Sequence, residues 1–298
     1  MNHHVTQSLH RIFWLVCAAA LVSLLGGCNL MNQIPKGGPP PSPPELVQVV
    51  HFPTTDKLTL EGWFLPGAAL LANPGTRQPA VLFCHGVQDS ADSNMADFIK
   101  KAGYAVLSFD YRDFGNSSKA DLTAESLTDD SWAAFEYLRS RPDVDPDRIA
   151  VYGHSLGGAM ALSVGARAFR ENVPLACVVS GSSFSTYRRA LNDFVPIGGF
   201  LLGGTSVPDP EDWAAQFGNI PLLLVHAKDD DIVPVYHLDR LERAARGAGV
   251  PVEVATTSSG GHILSYVCRT ELPEAILAFL KKHIGAPDAT LGIPPAPQ

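Results

Sequence analysis

The sequence contains few cysteines and no concentrated block of basic residues. Five of the 298 residues are cysteine, and their spacing fits no metal-binding motif. Lysine and arginine number 22 against 30 aspartates and glutamates, which leaves a net charge of −8. Because nucleic-acid binding needs a basic face that neutralises phosphates, this balance argues against a nucleic-acid-binding protein. There is no internal repeat, and we predict no metal, flavin or nucleotide cofactor.

The N-terminal segment has the features of an export signal. The apolar run over residues 12–28 is short for a membrane span and ends in Leu25-Gly26-Gly27-Cys28. This tetrapeptide resembles the lipobox of bacterial lipoproteins, so we predict a signal peptide over residues 1–27 and lipid attachment to Cys28. An uncleaved signal anchor and an ordinary signal peptide are the alternatives. Asn29 replaces the aspartate that favours inner-membrane retention, which favours the outer membrane, facing the periplasm.

The remaining chain divides into a tether, one domain and a tail. Residues 28–44 are rich in proline and glycine and predict an extended tether. Residues 45–285 predict a single domain, with a small cap over residues 181–220, and residues 286–298 predict a disordered tail. Cys84 and Cys177 lie in apolar runs and are expected in the core. The sequence does not decide whether Cys268 forms a disulfide.

Apolar strands that alternate with helices predict an α/β fold. Residues 46–52 and 58–65 predict an antiparallel opening pair of strands. Six further strands follow, most of them apolar throughout, and they alternate with helices such as those over residues 128–139 and 264–283. Strands that are apolar throughout indicate a mostly parallel central sheet with helices on both faces. In such sheets, ligands bind beyond the carboxyl ends of the strands.

The pentapeptide "GHSLG", residues 153–157, predicts a nucleophilic serine. It fits the pattern G-x-S-x-G and lies between the strand-like "RIAVY" and the helix-like "AMALSVGA". The two glycines allow a sharp turn that exposes the hydroxyl of Ser155 next to a helix N-terminus. The alternative is a Gly-rich turn that only packs a helix on a strand.

A serine hydroxyl needs a base, and His262 is the best-placed histidine for that role. It follows the last predicted strand in the loop "TTSSGGHILSY", whose two glycines let the chain return over the sheet. His237 lies in the helix directly after the aspartates, and His283 ends the last helix. We therefore predict that His262 is the base.

The base needs a carboxylate on its other ring nitrogen, which holds the imidazole in the reactive tautomer. Asp229, Asp230 and Asp231 directly follow an apolar strand and are the only well-placed source. Composition and spacing do not choose among them.

Donors for a developing oxyanion are predicted on the backbone. One is the N–H of Leu156, directly after the serine. The other is the N–H of Val87, in the loop after the first buried strand, with Gln88 as its alternative.

Four stretches together resemble the α/β-hydrolase superfamily: "VLFCHGVQDS", "GYAVLSFDYRDFGNSS", "DRIAVYGHSLGGAMAL" and "PLLLVHAKDDDIVP". Over about residues 49–282 the chain is similar to the Bem46-like, serine aminopeptidase S33-type branch, which includes the ABHD13 and ABHD17 proteins. That branch has its catalytic aspartate four residues before a proline, which at Pro234 implies Asp230. Ala227 stands where the branch usually has glycine. Asp229 and Asp231 are then expected to be solvated.

The resemblance implies a serine hydrolase that forms an acyl-enzyme, with Ser155, His262 and Asp230 as its triad. Small ester or thioester substrates are expected, on a protein held to the bacterial envelope membrane by its lipid. A peptidase or amidase with the same triad is the second interpretation, and a non-catalytic envelope lipoprotein that uses the fold as a binding module is the third.

Apolar side chains of the predicted cap allow two interpretations: they line an acyl pocket, or they pack the cap on the core. They are Phe184, Tyr187, Phe194, Phe200 and Leu201.

Overall fold

The computed structural model describes residues 36–39, 42–68, 75–194, 206–267 and 271–287. The predicted signal peptide, Cys28 and most of the predicted tail lie outside these ranges, and so do Phe200, Leu201 and Cys268. Within these ranges, no helix has the length and apolar character needed to cross a bilayer.

An eight-stranded, mostly parallel sheet forms the centre of the described domain. Its strands are β1 (Gln48–Pro53), β2 (Thr59–Leu65), β3 (Gln78–Cys84), β4 (Ala105–Phe109), β5 (Val144–His154), β6 (Cys177–Gly181), β7 (Leu222–Ala227) and β8 (Val252–Thr257). They lie in the order β1-β2-β4-β3-β5-β6-β7-β8. β2 is antiparallel to both its neighbours, and the other adjacent strands are parallel. The predicted α/β class and the antiparallel opening pair are confirmed.

Helices cover both faces of this sheet. They are α1 (Asp97–Lys101), α2 (Ala124–Ser140), α3 (Leu156–Glu171), α4 (Tyr187–Phe194), α5 (Pro210–Ala214), α6 (Tyr236–Gly247), α7 (Gly261–Val267) and α8 (Glu271–Ile284). α2 begins before the predicted start at Thr128, because Thr123 and Ser126 form a capping box in which each hydroxyl accepts the other residue's backbone N–H.

The predicted closing helix over residues 264–283 is wrong in extent, because α7 and α8 are separate helices. Pro273 is the third residue of α8. Proline has no N–H to donate, and therefore it fits the first turn of a helix but not the interior of a longer one.

Alternate side chains of the buried strands enter two separate cores. Leu82 of β3 packs in a core with residues of α2, α3 and α6, while Phe83 packs in another core with residues of α1 and α8. All seven residues of β3 are buried, which is the pattern of a strand covered on both faces. The carboxyl edge of the sheet is therefore where polar side chains can gather.

Candidate active site

Ser155 occupies a strained turn between β5 and α3. Its backbone has φ 58° and ψ −120°, and its N–H donates to the Gly181 carbonyl oxygen at 2.8 Å. A Cβ at Gly153 would lie 1.9 Å from the Gly157 oxygen, and one at Gly157 would lie 1.9 Å from the Cys84 oxygen. The glycines of the motif are therefore required by close backbone contacts, as the sequence predicts for a nucleophile elbow.

Leu156 is the first residue of α3. The first N–H groups of a helix have no acceptor within the helix, so the Leu156 N–H is free of helical bonding beside the Ser155 side chain. A Cβ at Gly86 would lie 3.3 Å from the Ser155 Cβ, which shows that the loop after β3 passes directly against the elbow. Val87, the next residue of that loop, is 40% exposed.

A buried carboxylate lies at the end of β7 and contacts His262. The Asp230 Oδ2 is 2.8 Å from the His262 Nδ1, while its Oδ1 accepts the N–H groups of Ile232 at 3.0 Å and Val233 at 2.9 Å. Burial alone would raise the pKa of Asp230. Hydrogen bonds from His226, His262 and the Val233 N–H outweigh burial and hold this pKa well below its usual range. Asp230 is therefore ionised and oriented towards His262.

His226 of β7 is a second histidine at this carboxylate, and it is not among the site residues predicted from the sequence. Its Nε2 donates to the Val233 carbonyl oxygen at 2.7 Å and lies 3.4 Å from the Asp230 Oδ2. The side chain is buried in β7. The spacing of four residues from Asp230 was visible in the sequence, but only the turn after β7 brings the two side chains together.

Asp229 is exposed, as expected, but it also has hydrogen-bond partners. Its two carboxylate oxygens accept the N–H of Gly260 at 3.1 Å and of Gly261 at 2.9 Å. His262 departs from the prediction, because it lies in the first turn of α7 and not in a loop. Gly260 and Gly261 have positive φ values of 120° and 58°, which lets the chain turn into α7. Asp231 is exposed, as expected.

His154 links the elbow to His262. Its Nε2 donates to the His262 carbonyl oxygen at 2.8 Å, and the two rings lie 4.7 Å apart. Burial first, and the neighbouring His262 second, lower the pKa of His154 to about 3. Because His154 directly precedes Ser155 in the chain, its hydrogen bond to His262 holds the predicted base near the predicted nucleophile. In the part of the chain that the structure describes, no hydrogen bond joins the Ser155 hydroxyl to His262; such bonds often tighten only with substrate bound.

His237 lies where the predicted cap attaches to the domain, and not at the elbow. Its Nδ1 accepts the Ser185 N–H at 2.9 Å, and its Nε2 donates to Asp193 at 2.8 Å. This bond joins α6 to the end of α4. Phe184 and Tyr187 lie 5.2 Å apart and pack against the core, which favours the packing interpretation for these two residues.

The fold and the arrangement at the carboxyl edge define the class: the domain is an α/β hydrolase. The chain belongs to the prolyl oligopeptidase family, peptidase S9, which matches residues 90–287. The finer affiliation with the S33-type branch stays a prediction.

Known proteins are similar over most of the domain. The chain is 30% identical to the protein YfhR of Escherichia coli (strain K12) over 245 residues, 80% of this chain and 83% of YfhR. It is 24% identical over 192 residues to the protein bem46 of Schizosaccharomyces pombe, 62% of this chain and 61% of bem46, which confirms the distant Bem46 resemblance. The solved Pyrococcus furiosus esterase Pf2001 shares the fold with a TM-score of 0.65 at 22% identity, over 85% of this chain and 100% of that one.

Proposed function

We propose that this protein is a serine hydrolase that cleaves ester or thioester substrates through an acyl-enzyme on Ser155. The observation that carries the proposal is the 2.8 Å contact between Asp230 and His262, next to a serine held at an elbow. Ionised Asp230 favours the proton on Nδ1 of His262 and leaves Nε2 free to accept one.

In the acylation step, the Ser155 Oγ attacks the substrate carbonyl carbon and its proton moves to the His262 Nε2. The carbonyl oxygen gains the negative charge, which the N–H groups of Leu156 and Val87 stabilise. When the tetrahedral intermediate collapses, the leaving group takes the proton from His262. A water molecule then gives a proton to His262 and attacks the acyl carbon, and when this second tetrahedral intermediate collapses, His262 returns the proton to the Ser155 Oγ and the carboxylic acid is released.

A peptidase or amidase activity is the second candidate, and membership of a peptidase family supports it. The chemistry differs in the leaving group, because an amine must be protonated by His262 before it departs, whereas an ester alcohol or thiol departs more readily. A panel of p-nitrophenyl esters, acyl thioesters and aminoacyl amides distinguishes the two. Turnover of amides at rates equal to those of esters would favour the peptidase.

A fluorophosphonate probe tests the nucleophile. We expect one adduct per chain, on Ser155, and no adduct in Ser155→Ala. Ser182 and Ser183 follow β6 near the elbow and are buried, and therefore Ser183→Ala is a matched control that retains labelling. An adduct on either of these two serines would overturn the assignment. Absence of any adduct on folded protein would favour the non-catalytic binding module.

The lipidated N-terminus is part of the same proposal. Its support is the lipobox-like sequence Leu25-Gly26-Gly27-Cys28 at the end of an apolar run. Cys28→Ala should abolish metabolic labelling with palmitate and leave unprocessed precursor, while Cys17→Ala, in the same apolar run, should behave as wild type. Outer-membrane fractionation in a Gram-negative host then tests the location. A Cys28→Ala protein that is labelled and processed like wild type would contradict the lipoprotein assignment.

A further inference from the structure

The described part of the tether contacts the loops at the active-site end of the sheet. Lys36 forms an ion pair with Asp113, and the Gly37 carbonyl accepts the Gly115 N–H at 3.2 Å. Gly37 also packs tightly on the loop after β3, since a Cβ there would lie 2.0 Å from the Asp89 carbonyl oxygen. The tether is thus seated beside the loop that carries Val87.

The strand that follows the tether, β1, begins below the carboxyl edge of the sheet and runs towards it. In the pairing of β1 with β2, Gln48 lies opposite Phe64, and Phe64 lies opposite Leu107 of β4, whereas Pro53 pairs with Thr59 beyond the carboxyl end of β4. β1 therefore runs towards the active-site end, and Gln48 lies level with the middle of β4, two residues short of the carboxyl end of that strand. The chain between Gly37 and Gln48 therefore runs in the opposite direction to β1, away from the active-site loops.

The contacts of Lys36 and Gly37 determine where an N-terminal anchor leaves the domain. Without these contacts, an anchor would leave near Gln48, level with the middle of β4. With them, it leaves beside the active-site loops. The chain from Cys28 to Lys36 is short, and eight residue steps span at most about 29 Å.

We propose that the active-site end of the domain faces the bilayer that holds the anchor, so that the enzyme takes acyl substrates presented at the membrane surface. This inference rests on the membrane anchor of the proposed function. It holds for lipidated Cys28 and equally for an uncleaved signal anchor.

Exposed apolar side chains at the same end support this orientation. Val87 is 40% exposed beside the elbow, and Ile263, the residue after His262, is 54% exposed. Val267 is 40% exposed and lies one helical turn further along α7, on the same face as Ile263. Because the chain carries a net charge of −8, anionic lipids would not attract the domain as a whole. The anchor and these apolar contacts therefore have to hold the surface against the bilayer.

Phe169 provides a reference position at the opposite end. It is 48% exposed, and it packs on Gly218 shortly before β7 begins. Along α3, Phe169 is about 21 Å from Ser155, at about 1.5 Å per residue over the 14 steps from residue 155 to residue 169.

The orientation is measured with nitrobenzoxadiazole attached to Ile263→Cys or Phe169→Cys, in full-length processed protein that carries Cys268→Ala. The protein is reconstituted in phosphatidylethanolamine–phosphatidylglycerol vesicles that contain a nitroxide near the headgroups. We expect the probe on Ile263→Cys to lose more than about half of its fluorescence and the probe on Phe169→Cys to lose little, given the roughly 21 Å along α3 between Ser155 and Phe169. Equal quenching at both positions, or stronger quenching at Phe169→Cys, would overturn the orientation.

The tether contacts are tested with a matched pair of glycine substitutions. Gly37→Val introduces a side chain against the Asp89 backbone, whereas Gly38→Val adds one where nothing lies within 4 Å. We expect Gly37→Val to abolish the difference in quenching and to slow turnover of a long-chain p-nitrophenyl ester embedded in the vesicles. Gly38→Val should behave as wild type. A difference in quenching that survives Gly37→Val would also overturn the proposal.

Two controls separate this proposal from the hydrolase proposal. Hydrolysis of p-nitrophenyl acetate in the same vesicles reports the chemistry alone. If this ester is not hydrolysed but the probe at Ile263→Cys is still quenched more than the probe at Phe169→Cys, only the hydrolase proposal is contradicted. Flotation of the vesicles reports the anchor: protein that floats and is quenched equally at both ends contradicts only the orientation, while protein that does not float contradicts both the anchor and the orientation.

Discussion

Replacing Asp230 with asparagine should invert the tautomer of His262. The Asp230 Oδ1 accepts two backbone N–H groups, from Ile232 and Val233, while Oδ2 faces the His262 Nδ1. In Asp230→Asn, the amide oxygen must stay with the two N–H donors, and the amide NH₂ therefore points at Nδ1. Nδ1 must then act as an acceptor, which places the histidine proton on Nε2, the atom that should receive the proton of Ser155.

The size of this effect follows from the chemistry that it blocks. An inverted tautomer at an otherwise intact triad lowers kcat by about 10³–10⁴, which is roughly 4–5.5 kcal/mol of transition-state stabilisation. The melting temperature should change little, because asparagine keeps both backbone contacts of the Asp230 Oδ1. Steady-state hydrolysis of a p-nitrophenyl ester, with thermal unfolding of the same samples, measures both quantities.

The neighbouring aspartates are matched controls. Asp229→Asn weakens one of two hydrogen bonds that hold Gly260 and Gly261 ahead of His262. At an exposed position we expect a cost of about 1 kcal/mol, or roughly fivefold in kcat. Asp231→Asn changes an exposed side chain and should stay within about twofold. If either variant is more damaging than Asp230→Asn at an unchanged melting temperature, the assignment of Asp230 is wrong.

Two further predictions concern stability. In the folded chain the pKa of His154 is about 3, so the ring stays neutral, whereas in the unfolded chain the ring takes up a proton as the pH falls below its ordinary pKa of 6.5. The free energy of unfolding should therefore fall as the pH falls between these two values, by about 1.4 kcal/mol per pH unit for this group. His154→Phe should remove that part of the slope in urea unfolding at pH 7 and pH 5, and an unchanged slope would contradict the buried neutral ring. Gly157→Ala should cost about 3 kcal/mol or more, because its Cβ would meet the Cys84 oxygen. Gly247→Ala, with nothing within 4 Å, is the control and should be neutral or stabilising; equal unfolding free energies for the two variants would refute the packing argument.

The elbow and the sheet could be predicted from the sequence because local patterns determine them. The glycines at 153 and 157 are dictated by backbone contacts within one turn and its adjacent strand, and the strands are buried on both faces, so their composition identifies them. The break between α7 and α8 was also readable, since Pro273 cannot lie in the interior of a helix.

The connections among β7, β8 and α7 could not be predicted in the same way. All three aspartates follow β7, and spacing does not show which side chain turns inwards; only the resemblance to a family singled out Asp230. The contact of Asp229 with Gly260 and Gly261 joins residues more than 30 positions apart. It depends on β8 lying beside β7 in the sheet, which is a tertiary result. The contact of His226 with Asp230 depends likewise on the shape of the turn after β7.

Trapping the covalent intermediate tests the proposed mechanism most directly. The protein is mixed with a p-nitrophenyl ester, quenched in acid within the first turnover, digested and analysed by mass spectrometry. We expect the acyl group on the peptide that contains Ser155, formed with a burst of p-nitrophenol, and neither signal in Ser155→Ala. Steady hydrolysis with no acyl group on Ser155, or an acyl group on another residue that turns over at the steady-state rate, would contradict the mechanism.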